Sequence, residues 1–387
     1  MLSGFKRKLC IVTAVLILSM GLPALAFAGF ANAKVKIDDT RWFRVGLGFR
    51  SSVAVVEDGA PNGTASSVGA VFDNIRLYTA ARVTDHVTLE FNTESGGTGS
   101  SATAGQLDAD EALAVLDAVV KFDLGGFDVW AGRFLPPSDR SNLDGPFFLN
   151  AYDFPIVQAY PAIFAGRDTG AAIMKEYDGG RFKWSYGLFE GRTNATNTQT
   201  NPDGGDNLLH AARFTYNFWD PEPGYYTTST YHGALDVLAV AFVIQHEEDG
   251  AGTATTAGDF TGWNIDVLME KKVSGGNVVS LEGAYYNYDL DDKTDASLTQ
   301  GQGYLALAGY LINKQVGWGK LQPYVRYQDF DRDARTSDGG NRSRIEGGVN
   351  YIIDGQNAKI CALYSRDQNG SGADPKNRFV VGLQFQM

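Results

Sequence analysis

Cysteine is almost missing from these 387 residues: there are two, Cys10 and Cys361. With Cys10 in the extreme N-terminal segment, no disulfide framework can hold the remaining chain. Charge is sparse as well, at 20% of residues, and the basic share is the smaller, with 33 Lys and Arg against 45 Asp and Glu and a net charge of -12. No basic face survives that balance, which excludes nucleic acid as a partner. After the first twenty residues there is no run of about 18 apolar residues, so no helix spans a membrane. Histidine occurs four times, at scattered positions 86, 210, 232 and 246, and Ser and Asp crowd the loops so evenly that no catalytic triad stands out. "GGTGS" (96–100) lacks the Lys and helix of a phosphate cradle. "HEED" (246–249) and "DLDDKTD" (289–295) depart from calcium-loop spacing and read as solvated loop tips. Cys361 has no partner for metal or nucleophile chemistry and reads as a small wall residue. The sequence therefore offers no catalytic residues, no metal site and no cofactor.

What is present begins at the N-terminus. Lys6, Arg7 and Lys8 precede the apolar run "LCIVTAVLIL", and small residues then offer cleavage after Ala28 or Ala33. This is the pattern of a secretory signal peptide over 1–28, with cleavage after 33 as the alternative. Cys10 lies ahead of the apolar run rather than after it, which argues against a lipid anchor. Removing the three basic residues takes the net charge from -12 to -15. The remainder, 34–387, reads as one domain. Its 46 Gly, 18 Tyr and 23 Phe suit many strands joined by Gly-rich turns.

From Arg41 onward, segments of alternating polarity recur at a length that crosses a bilayer when tilted. Sixteen can be counted, near 41–51, 70–82, 86–94, 112–124, 126–134, 167–177, 180–191, 206–217, 234–246, 259–271, 277–288, 302–313, 319–330, 342–353, 357–367 and 377–387. Their links alternate between short turns such as "VTDH", "LGG", "YDGG" and "IDGQN" and longer polar loops such as "SVAVVEDGAPNGTASSVG" and "EDGAGTATTAG". One face of short turns and one of long loops is the pattern of an outer-membrane barrel, the only spanning structure open to a chain without apolar helices. One link breaks the rule: "WDPEPGYYTTSTYHG" (219–233) is long on the short side, and the sequence supplies no reason for it.

Alternation alone would also fit a soluble β-sandwich. The signal, the even count, the aromatic load and the last strand favour the barrel. Phe379, Val381, Leu383, Phe385 and Met387 share one face up to the final residue, as a strand must if it closes a barrel against the first. Trp42, Trp130, Trp219, Trp318, Tyr327 and Phe330 fall near strand ends, where interfacial girdles form. The fold class read from the sequence is thus all-β, a 16-stranded antiparallel transmembrane barrel.

The terminal run resembles the C-terminal recognition strand of Gram-negative outer-membrane proteins, with Met387 where Phe is usual. Sixteen strands, a signal, a longest loop after the fifth strand and the stretch "VWAGRFLPPSDRSNLDGPFFLNAYDFP" (129–155) together resemble the Gram-negative trimeric porins, loosely those that include the phosphate-selective group. The resemblance covers 34–387 and implies a third loop folded inward to narrow a pore, in a homotrimer set in membrane lipid and lipopolysaccharide. The chain lacks the Lys and Arg excess of the phosphate-selective members.

Strand parity places Arg44, Arg50, Arg76, Arg326, Arg344 and Arg378 on the inward phase of strands that neighbour one another across the closure. They would form a basic wall. The third loop offers Asp139, Asp144 and Asp153 against Arg140, and Glu90 and Asp117 add an inward acidic wall. Two arrangements are open: acid facing base across an aqueous constriction, holding a transverse field, or wall ion pairs with Glu346, Asp117 or Glu282 and solvated loop acids. Phe147 and Phe148 would either narrow the eyelet or pin the loop to the wall, and the preference of apolar rings for burial favours pinning. The expected function is passive diffusion of ions and small hydrophilic solutes with a mild cation preference. An anion- or solute-specific porin, a sheath or receptor for a partner protein and, last, an outer-membrane hydrolase are the alternatives.

Overall fold

The computed structural model describes residues 33–95, 113–159, 166–192, 201–295, 298–333, 340–370 and 374–387. The expected signal segment lies outside them apart from Ala33.

Alternating residues build strands because successive side chains leave opposite faces, and here the two faces meet opposite solvents. Leu47, Phe91, Ile265, Val325 and Ile345 all stand exposed on the outside, whereas Arg50, Glu94, Asp266, Arg326 and Glu346 on the alternate phase are buried. A sandwich would have the reverse, with large apolar groups inside and charges outside. An apolar exterior over a charged interior is the signature of a barrel in hydrocarbon.

Among the described residues seventeen strands pair antiparallel. β1 (Ala33–Lys36) is a short N-terminal strand, and the sixteen that follow form the closed wall. In order they are β2 (Trp42–Val56), β3 (Ser67–Thr84), β4 (Val87–Ser95), β5 (Ala114–Asp123), β6 (Asp128–Phe134), β7 (Asp168–Tyr177), β8 (Phe182–Phe189), β9 (Leu209–Asn217), β10 (Val237–Thr253), β11 (Thr256–Lys272), β12 (Val278–Asp289), β13 (Gly301–Leu311), β14 (Lys320–Arg332), β15 (Arg342–Asp354), β16 (Ala358–Asn369) and β17 (Lys376–Gln386). Each of the sixteen expected segments coincides with one of them.

The closure is made as the terminal alternation requires. β17 pairs with β2, Gln384 opposite Arg50, and the Met387 amide donates to the Leu47 carbonyl at 2.9 Å while the Leu47 amide donates back at 3.2 Å. β1 continues along the same edge of β2, Val35 opposite Phe43. No free edge is left at the seam.

Two expectations are corrected. The stretches around 52–56, 67–69 and 248–258 are paired strand, so that β2 and β3 reach further outward and β10 and β11 rise as a tall hairpin with a bulge between Glu247 and Ala251. Above the lipid both faces of a hairpin are wet, and the polarity signal that marks a strand fades. Trp130 and Phe330 do not join an outer girdle: they sit on the inward phase and are buried in the lumen, while Tyr327 and Trp318 are exposed. The long link after β9 (residues 218–236), for which the sequence supplies no reason, folds up into the barrel and touches the third loop.

Candidate pore constriction

The link between β6 and β7, residues 135–167, turns into the lumen. Its one helix among the described residues, α1 (Arg140–Phe148), opens on Asp139, whose carboxylate accepts from the Asn142 amide as an N-cap. Gly145, at φ 59, breaks the helical backbone just before Pro146, which has no N–H to offer the preceding turn.

A helix end leaves carbonyls without partners, and in a lumen they must be met by side chains. The wall meets them one by one. Gln384 donates to Phe147 O at 2.7 Å, Lys359 to Leu149 O at 2.8 Å, Asn350 to Asn150 O at 2.8 Å and Arg50 to Tyr152 O at 2.5 Å. Cations at a helix C-terminus also gain from its dipole. Gln328 and Tyr288 accept from the amides of Ile156 and Ala159 further along. The third loop is therefore bolted to β12, β14–β17 and β2 through its backbone. Gly48 and Gly382 serve the same docking, because a Cβ on either would press into the ring of Phe147 or Tyr152.

From the periplasmic end the link 218–236 takes the other side of α1. Glu222 holds both terminal nitrogens of Arg140 at 2.7 Å, a bidentate pair with side chains 1% and 3% exposed. Thr227 and Ser229 each donate to Asp144 at 2.6 Å, Tyr225 donates to Leu135 O at 2.8 Å, and the Ser229 amide donates to Phe148 O at 3.0 Å. Lys183 on β8 reaches back to the Glu222 and Gly224 carbonyls. Burial pushes the Asp144 carboxyl well above its ordinary range, and the same burial lifts Asp139 to about 6 although Gln158 and Tyr286 donate to it. Burial opposes ionisation of Glu222 too, but Arg140 beside it wins and lowers the value.

The residues singled out in the sequence fall into distinct groups. Arg50, Arg76, Glu94 and Asn74 form one hydrogen-bonded ribbon across β2–β4, Arg76 paired with Glu94, and Asn92, Asp117 and Arg167 extend the charged belt onto β5. Arg326 pairs with Glu346 at 3.0 Å and Arg344 with Asp367 at 2.8 Å. Asp153 of the third loop lies directly on Arg378 at 2.5 Å, with Arg344 at 3.8 Å. Burial would raise its pKa, yet these guanidinium groups hold it well below the usual carboxylate range.

Acid meets base in direct contact there, with no gap for water, and Asp139 and Asp144 are buried rather than solvated. Neither of the two expected arrangements is met in full. Glu346 and Asp117 are arginine partners as one of them had it, Asp117 taking Arg167, whereas Glu282 has no ion-pair partner among the described residues. Phe147 is 1% exposed, pinned between Gly48, Tyr78 and the guanidinium groups of Arg50 and Arg76; Phe148 stays 39% exposed. Arg44 and Glu90 lie one strand apart on either side of Ala80, and Glu90 pairs with Lys121 at 2.7 Å with side chains 19% and 15% exposed.

Sequence reasoning missed Arg213, which binds Asp266 at 2.6 Å and Ser138 O at 3.0 Å, together with Glu222 and Lys359. Parity would have put Arg213 and Lys359 inside; no periodic signal could have placed Glu222. His210 and His246 are register partners on the outer face and bond Tyr186 and Thr261, not a serine. Among the described residues no group of His, Cys, Asp and Glu is set to hold a metal.

The family model described as phosphate-selective porin O and P matches residues 43–387. Compared with curated proteins, the sequence finds no match. Among solved structures the chain is similar to the high-pH structure of OprB from Pseudomonas putida (TM-score 0.58, 11% identity, 89% of this chain and 94% of that one). It is also similar to an anion-selective porin from Comamonas acidovorans (TM-score 0.56, 11% identity, 90% and 100%) and to the trimer form of the outer-membrane protein OmpT from Vibrio cholerae (TM-score 0.54, 13% identity, 90% and 100%). At such identities the likeness concerns the fold.

Proposed function

This chain belongs to the phosphate-selective porin O and P family, and we propose on that premise that it is an outer-membrane diffusion channel for ions and small hydrophilic solutes, weakly selective, with a mild preference for cations. The observation that carries the weak selectivity is the pairing of the lumen. Arg76, Arg140, Arg167, Arg213, Arg326, Arg344, Arg378 and Lys121 each have a carboxylate within ion-pair distance. A basic wall so neutralised presents little net field to a passing anion. Acid also gathers at the ends of β12–β14: a cavity of about 520 Å³ there is lined by Asp289, Asp291, Asp292, Asp331 and Asp333, with Arg332 the one cation among its described lining residues. Carboxylates at that end of the barrel would favour cations in the water nearby.

Selection would be by width and charge, without a chemical step. One of the similar structures is described as a trimer, which supports a homotrimer set in lipid and lipopolysaccharide. Residues 1–28, or 1–33, would be removed on export, and the mass of the purified protein reads the cleavage point. A plugged barrel serving as sheath or receptor is the competing reading. It is favoured by the near-complete burial of Asn264, Asp266, Gln322, Gln328 and Gln384 under the two inward links.

Purified protein in planar bilayers decides between them. Stepwise conductance in threes is expected, with a small reversal potential of cation sign in a salt gradient. A silent bilayer would remove the transport role. A reversal potential of anion sign would restore the selectivity printed in the family's description.

A further inference from the structure

We propose that the outer face of β5–β7 around Arg133 is the contact surface with a second copy of this chain. The inference rests on the homotrimer reading and goes beyond it by naming the face.

Strand parity puts Arg133 outside. Trp130 and Phe134 of β6 are buried in the lumen, so Arg133 shares the alternate phase with Val129 and Ala131. Its register partners on that phase are Ala118 of β5 and Thr169 of β7. The surroundings are apolar in both directions along the wall. On β5, Phe122 toward the periplasm and Val115 toward the outside are 36% and 44% exposed, and Phe91, which pairs with Ala118, is 46% exposed. Phe127, itself exposed, marks the lower edge. The step from 127 to 133 covers about 20 Å of strand and, at the usual tilt, about 15 Å of a belt about 25 Å tall. The guanidinium therefore leaves the wall inside the hydrocarbon, above its middle.

Nothing in this chain satisfies it. Among the described residues Arg133 has no hydrogen bond and no ion pair. Asp117 and Asp168 lie on the inner phase, the first paired with Arg167 and the second accepting from the amides of Thr169 and Gly191. Glu190, beyond Thr169 in the outer row, is not within ion-pair distance either. A second deficit lies at the same place. β6 ends at Phe134, where the chain turns into the lumen, while β5 continues up to Ala114. Because β5 pairs with β6 only from Ala118 to Asp123, residues 114–117 meet no strand on that side among the described residues. An unpaired charge and an unpaired strand edge are both costly in hydrocarbon. A neighbouring protein surface relieves both, and lipid tails relieve neither.

The face is also shaped for close approach. Ala118, Ala131, Thr169 and Ala171 surround Arg133, whereas the outer phase elsewhere carries large groups such as Phe214, Phe242, Ile265 and Tyr285. Small side chains let protein surfaces come together in a membrane. Charge favours a second copy as the occupant: the outer links of this chain are acidic, with Asp58, Asp203 and Asp206 on them, so a copy set beside this face brings carboxylates toward the guanidinium.

Photo-crosslinking from the same row tests the face. Phe91→p-benzoylphenylalanine is expected to give chain-to-chain adducts in outer membranes, and the same probe in place of Tyr285 on β12 is expected to give none. Arg133→Leu is expected to lower the trimer fraction in detergent by about twofold or more, with Arg133→Lys in between, while the barrel itself unfolds no more easily because leucine suits hydrocarbon. Should Arg133→Leu fail to assemble, the crosslink carries the test. Adducts to lipopolysaccharide alone at position 91, chain adducts equally strong from position 285, or a trimer indifferent to Arg133→Leu would overturn the inference. A monomer that still conducts would overturn it too and leave the channel reading standing. Silent bilayers together with chain adducts at 91 would remove the channel reading and support the face.

Discussion

Replacing Arg140 by Met should be far more damaging than replacing Arg140 and Glu222 together. Arg140 is 1% exposed and donates twice to Glu222 at 2.7 Å and once to Thr228 O at 3.1 Å, with Asp266 at 3.6 Å. Taking away one member of a buried pair strands the other charge, at a cost of about 3–5 kcal/mol. Asp266 would be spared, because Arg213 still holds both its oxygens at 2.6 and 3.0 Å. Glu222 would keep only the Tyr231 hydroxyl at 2.9 Å and its distant neighbours. In Arg140→Met with Glu222→Met the stranded charge is gone, and most of the loss should return, leaving a coupling of about 2 kcal/mol or more between the two sites. Urea unfolding of the barrel in lipid vesicles, followed by tryptophan fluorescence, measures the whole cycle. A single Arg140→Met variant within about 1 kcal/mol of wild type would mean that the pair behaves like an exposed one, and the claim that the periplasmic link braces the third loop would fall.

Three further outcomes follow from the same packing. Asp139 titrates at about 6 because it is buried; its folded value lies above the unfolded one of about 3.9, so its contribution of about 3 kcal/mol is whole below pH 4 and is lost as the pH climbs through 6. Unfolding midpoints between pH 4 and 8 should fall with that profile and flatten in Asp139→Asn. His232, lowered to about 4 by burial and by Lys359 and Lys320, behaves oppositely: its contribution is present above pH 6.5 and fades as the pH drops through 4, and an imidazole still neutral by NMR at pH 5 would confirm it, whereas a normal titration would refute the buried placement. Gly382→Ala drives a Cβ into the Tyr152 ring, which should cost about 1–3 kcal/mol and raise current noise as the third loop loosens; a quiet, fully stable variant would show that the ring has another place to go.

The wall of this molecule was legible and its contents were not, for a physical reason. Strand parity depends on local periodicity, and the contrast between lipid and lumen writes itself into every second residue, as at Phe379 to Met387 or Phe43 to Phe49. Parity also placed Arg50, Arg76, Arg326, Arg344 and Arg378 on the inner face. It could not say what they would touch. Arg50 serves a loop carbonyl at Tyr152, and Arg378 meets an aspartate that sits 225 positions earlier. Those partners come from links that carry no period. The link 219–233 showed only as an oddity of length, because Glu222, Thr227 and Ser229 are ordinary turn residues until a helix end lies opposite them.

The lumen reverses the usual meaning of an arginine count. In water a row of inward arginines would signal attraction for anions, but a lumen packed by two inward links is closer to a protein interior, where an unpaired charge is costly and each guanidinium must find an oxygen. Here most find carboxylates, and Arg50 and Lys359 find backbone carbonyls of the third loop at 2.5 and 2.8 Å. The basic wall is thus mainly a docking surface for the constriction loop. Charge that still acts on a solute is whatever that docking leaves over, such as Arg44, which stands beside Trp42 rather than beside a carboxylate among the described residues. Selectivity in such a channel is decided by the few charges that docking leaves unpaired, and changing Arg326 or Arg344 should alter stability long before it alters which ions pass.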